Sequence, residues 1–78
     1  MNYENMETVE WTPGSCRTCS GELVEKRALD LGRYKRTTYR CVACTCRHDL
    51  VEKEGAPTVV VHREMGSSES VYEIIAEV

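Results

Sequence analysis

Short β-prone runs bounded by turn signals follow one another along most of this chain, a pattern of apolar and polar positions that predicts strands rather than helices. Glu7-Thr8-Val9-Glu10-Trp11 alternates weakly and stops at Thr12-Pro13-Gly14, which predicts an edge strand ended by a turn. Residues 22–30 suit strand or helix by propensity, whereas residues 33–40 carry the β-favouring Tyr34, Thr37, Thr38 and Tyr39 among cations. Residues 47–54 predict another strand, Gly55-Ala56-Pro57 a turn, and Thr58-Val59-Val60-Val61-His62 the most β-prone stretch present. Gly66-Ser67-Ser68 is a short break. Residues 71–78 fit two periods: Tyr72, Ile74, Ala76 and Val78 alternate, while Val71, Ile74, Ile75 and Val78 match a helical face with Ser70 and Glu73 placed as a capping box. A strand is expected, because β-branched residues prefer it and eight residues make a poor isolated helix.

Cysteine spacing decides the ambiguous segment. Cys16 and Cys19 form one Cys-x-x-Cys pair and Cys41 and Cys44 another, separated by 21 residues that hold no other cysteine. Two such turns brought together can hold one tetrahedral Zn²⁺ per chain through four thiolates. The chain must then travel from Cys19 to Cys41 and return, so residues 22–30 are read as a strand that meets the strand of residues 33–40 near Leu31-Gly32. Cys46 leaves the fourth ligand open: Cys44 is favoured, Cys46 can close the site instead, and His48 is a distant third. A metal-binding knuckle usually has Gly just after its second cysteine, where the backbone takes a positive φ; here Ser20 and Thr45 stand there and Gly21 comes one residue late.

A chain of 78 residues has room for one domain whose apolar core supplies only a few kcal/mol, the size at which a metal staple matters. The domain is divided into an N-terminal arm (1–15), a cysteine-bearing ribbon (16–50) and a C-terminal β extension (51–78). An odd cysteine count without an apolar leader leads to the expectation of a reducing, cytoplasmic compartment. No apolar run reaches the roughly 20 residues of a membrane-spanning helix, so no membrane partner is expected.

The net charge of −3 conceals segregation. Residues 16–47 hold eight cations against three carboxylates, whereas residues 48–78 hold two against seven. Bulk coating of nucleic acid is disfavoured, but a local patch can neutralise phosphates. Arg33, Tyr34, Lys35 and Arg36, with Arg40 farther along, combine phosphate-binding cations with a ring on which a base can stack. The same charges also suit a solvated hairpin edge. Tyr39 is assigned to packing around the metal and Trp11 to capping a small core. His62-Arg63-Glu64 follows both cysteine pairs and lacks the context of a deaminase motif. Four thiolates leave a metal no open position, so neither an enzyme nor a small-molecule substrate is expected.

The Cys-x2-Cys, hairpin, Cys-x2-Cys layout from Cys16 to about Leu50 resembles the zinc-ribbon superfamily. That resemblance implies a small all-β, zinc-stabilised fold of antiparallel hairpins whose members bind nucleic acid or protein. With Cys46 as ligand, Tyr39-Arg40-Cys41-x4-Cys46 also resembles the Ogr/Delta family of phage late-transcription activators, although Cys44, Leu50 and the acidic tail depart from it. The function expected is a transcription-related zinc ribbon that contacts nucleic acid or a transcription complex. The alternative is a protein-binding adaptor or small inhibitor acting through its acidic flanks or a β-edge, and an iron carrier like rubredoxin stands last.

Overall fold

The computed structural model describes residues 3–63 and 66–76. After a single 3₁₀ turn at Tyr3–Asn5 come β1 (Glu7–Val9), β2 (Leu23–Asp30), β3 (Tyr34–Cys41), β4 (Arg47–Lys53), β5 (Val59–Arg63) and β6 (Val71–Ile75). All six strands join one sheet in the order β1-β6-β5-β4-β3-β2. The expected strands are therefore present, including the one at β6. The last two positions of the 71–78 segment, and Glu64 of His62-Arg63-Glu64, lie outside the described residues.

The sheet is built from hairpins. Leu31-Gly32 forms the β2–β3 turn as expected: Gly32 takes a φ of 83°, and its N–H donates to Asp30 Oδ1 at 2.9 Å. β3, β4, β5 and β6 then pair antiparallel in sequence order. One pairing breaks the pattern, because β1 lies parallel to β6, with Thr8 opposite Ile74. β1 is also shorter than the expected five residues, ending at Val9 before the chain turns toward the cysteines. β3, read from sequence as a hairpin edge, lies inside the sheet between β2 and β4; the free edges belong to β1 and β2.

Strand alternation divides the sheet into two faces. Leu23, Tyr39, Cys41, His48, Val60, His62 and Glu73 follow one another across the strands on the first face. Arg36, Thr38, Arg40, Arg47, Asp49, Val51, Val59, Val61, Arg63 and Tyr72 share the second. A bulge between Glu25 and Arg27 shifts the register of β2, which re-aims the side chains beyond it. The buried apolar cluster consists of Cys16, Leu23, Cys41 and Cys46, with Trp11, Tyr39 and Cys44 packed against it. Among the described residues, Val59 and Val60, at 1% and 0% exposure, and Val51 supply the remaining apolar burial.

Candidate metal centre

The two cysteine turns are built alike. In the first, Ser20 N–H donates to Cys16 O at 3.0 Å and Cys16 N–H to Gly21 O at 2.8 Å. In the second, Thr45 N–H donates to Cys41 O at 3.0 Å and Cys41 N–H to Cys46 O at 3.1 Å. Ser20 and Thr45 adopt φ values of 64° and 62°, the left-handed conformation that glycine would take more easily. The departure seen in sequence is thus tolerated as backbone strain, and both knuckles close without glycine at that position.

Gly21 has a different role. A Cβ there would lie 3.0 Å from Cys41 Sγ, 3.0 Å from Ala43 Cβ and 3.2 Å from Cys19 Sγ. Its missing side chain lets the two knuckles approach. Cys46 holds the matching place in the second knuckle, and its side chain enters the apolar cluster, at 4% exposure.

The sulfurs of Cys16, Cys19, Cys41 and Cys44 all lie within 4.8 Å of one another, with Cys16–Cys44 at 3.5 Å and Cys19–Cys41 at 3.4 Å. A tetrahedron of ~2.3 Å metal–sulfur bonds has edges of about 3.8 Å. The set therefore fits one tetrahedral ion, and the choice left open between Cys44 and Cys46 falls to Cys44. His48 is not a ligand of this set, since its Nε2 accepts the Arg17 N–H at 3.0 Å.

Backbone N–H groups point at the sulfurs, as thiolate ligands require: Thr18 at Cys16 Sγ and Cys44 at Cys41 Sγ, both at 3.4 Å. The Cys44 N–H is the main reason the Cys41 thiol is lowered to about 6, with Ala43 adding to it against the opposing effect of burial. Cys19 and Cys44 are raised. The backbone N–H groups of Gly21 and Cys46 pull them down, respectively, but hydrogen bonding to neighbouring cysteines and burial outweigh that pull. Without a cation the cluster retains protons, and four thiolates coexist only around a positive ion.

A polar relay fixes the first knuckle to the sheet. Arg17 donates through Nε and Nη2 to both carboxylate oxygens of Glu73 at 2.9 Å, and His62 Nε2 meets Glu73 Oε1 at 2.7 Å. Arg17 and then His62 hold the Glu73 carboxyl below its ordinary range, against burial. Burial lowers His48, followed by the field of His62. Trp11, His48 and His62 stack, with ring centroids 6.3 and 5.5 Å apart. The sequence reading missed this relay, although His62 and Val60 fall on one face of a β-prone run, a signal that an imidazole turns inward.

The five residues read as a nucleic-acid patch do not form one surface. Arg33 lies in the exposed turn, 3.6 Å from Glu54, and Lys35 faces opposite to Arg36. Tyr34, Arg36 and Arg40 share the second face of the sheet. There Arg36 pairs with Asp49 at 2.7 Å, and Arg40 Nη1 donates to Thr45 O at 3.0 Å.

Comparison with protein-family models, curated proteins and solved structures finds no match. The chain is thus defined by its own geometry as a small all-β module whose cysteine cluster can bind one metal ion. Among the described residues, no helix is long and apolar enough to cross a membrane.

Proposed function

We propose that this protein is a structural-zinc module that binds nucleic acid and acts in transcription or its regulation, in the manner of the ribbons carried by phages and mobile elements. The observation that carries the zinc reading is the four-sulfur cluster: a closed Cys₄ set of about tetrahedral size suits a structural ion and leaves no place for substrate. The nucleic-acid reading draws on the concentration of cations in residues 16–47 of a chain that is acidic overall.

Native mass spectrometry of the untagged protein, before and after mixing with short oligonucleotides at low salt, tests both parts. One zinc per chain and an oligonucleotide adduct are expected. Iron in place of zinc, seen as a red protein, overturns the first part, and the absence of any adduct overturns the second. A protein-binding adaptor is the second reading, supported by the eight-residue β2, whose free edge can accept a strand from a partner and whose neighbourhood exposes Leu29 and Leu31.

A further inference from the structure

Arginines face arginines across three neighbouring strands. Arg40 of β3 lies opposite Arg47 of β4, and Arg47 opposite Arg63 of β5. Like charges in directly opposed positions destabilise a sheet, so a row of three is a feature that packing alone does not favour. Internal neutralisation is slight: Arg47 reaches Asp49 at 3.2 Å, while among the described residues no carboxylate pairs with Arg40 or Arg63.

The row lies in a concavity. Arg40, Arg47 and Arg63 together line a cleft of about 200 Å³ closed by Ser67, Gly66 and Thr45. A cleft of about 260 Å³ continues from Arg40 and Arg47 to Lys26 and Arg27, and another of about 200 Å³ from Arg47 and Arg63 to Arg36 and Tyr72. Six of the chain's ten lysines and arginines thus line one groove, against Asp49 as its single carboxylate among the described residues. At ~4.8 Å per strand the groove runs roughly 19 Å from β2 to β6. At its far end Tyr72 is 44% exposed on the same face.

We infer that this groove is the track for a single-stranded nucleic acid, with the arginine row holding successive phosphates and Tyr72 stacking on a base. The inference rests on the nucleic-acid reading above and gives it a surface different from the hairpin tip at Arg33 and Lys35. Guanidinium groups suit phosphate oxygens through paired N–H donors, and the separation of a cationic floor from one exposed ring matches the electrostatic and stacking parts of single-strand binding. The phosphates also relieve the repulsion along the row. That gives the row a physical reason to exist in a protein with more carboxylates than cations.

The experiment is fluorescence anisotropy of the zinc-loaded protein with 15-mer dT and rU oligonucleotides over a salt series. Arg40→Ala/Arg63→Ala is expected to flatten the log–log salt slope by about 1.4, since each phosphate that a single strand no longer has neutralised removes ~0.7. Tyr72→Ala is expected to lose about five- to hundredfold in affinity with the slope unchanged. Arg33→Ala and Lys35→Ala are expected to leave both unchanged. The double variant relieves opposed like charges but gives up the Arg40 hydrogen bond to Thr45 O; if it does not fold, Arg63→Gln alone is expected to lower the slope by about 0.7. Binding that depends on Arg33 or Lys35 and not on Arg40 or Arg63 overturns the groove while leaving nucleic-acid binding intact. Absence of oligonucleotide binding at low salt overturns both, and equal competition by polyglutamate at matched charge overturns the groove as a nucleic-acid site.

Discussion

Gly21 shows how closely the metal site depends on a missing methyl group. Alanine there would press on two ligand sulfurs and on Ala43, all at 3.0–3.2 Å, and relief requires moving the knuckles apart. Gly21→Ala is therefore expected to cost about 1–3 kcal/mol of stability and to release its metal sooner to a chromophoric chelator. Unchanged metal retention would mean that the two turns can separate freely. The same residue explains a limit of sequence reading. Spacing alone identified Cys16, Cys19 and Cys41, but the last ligand turns on which sulfur the second knuckle aims at the metal. Cys46 occupies the place of Gly21, where a side chain points into the cluster that covers Leu23, so Cys44 completes the set.

At the level of elements, the strands were legible because β-favouring residues gather in runs between clear turn signals. Their arrangement was less so. The parallel pairing of β1 with β6 joins residues more than sixty positions apart and leaves no local mark. Register also decides which cations meet, so Arg47 and Arg63 enter the groove although sequence proximity favoured Arg33 and Lys35. The Arg17–Glu73 pair is of the same long-range kind, and it ties the first knuckle to β6 with Glu73 nearly buried. Glu73→Gln leaves the partly buried Arg17 without its counter-charge and is expected to cost about 2–4 kcal/mol at neutral pH. Because the folded protein depresses the Glu73 carboxyl, that stability is present above the unfolded carboxylate range, near pH 4.3, and disappears as pH falls through the folded value. Melting curves of wild type and variant should thus converge in acid. Parallel curves down to low pH would show that the carboxylate charge contributes nothing.

For the whole molecule, the question is whether the sheet can stand with its cysteine cluster empty. Among the described residues the apolar burial is small and unevenly placed: the principal cluster consists of Cys16, Cys41, Cys46 and Leu23, and the other buried apolar residues are Val51, Val59 and Val60. An empty cluster leaves four cysteine side chains that hold the knuckles only weakly, and Trp11 and Tyr39 lose the surface they pack on. Structural zinc contributes about 10–16 kcal/mol of binding energy in comparable small modules, more than the usual net stability of a domain this size. Stoichiometric chelation at neutral pH is therefore expected to abolish the far-ultraviolet β signal and to shift the Trp11 fluorescence to the red together, and zinc to restore both. A different outcome is also informative. If Trp11 becomes exposed while the β signal persists, the β3–β6 hairpins stand on the three valines alone, and the metal orders the knuckles and the adjoining Arg40 rather than the sheet as a whole.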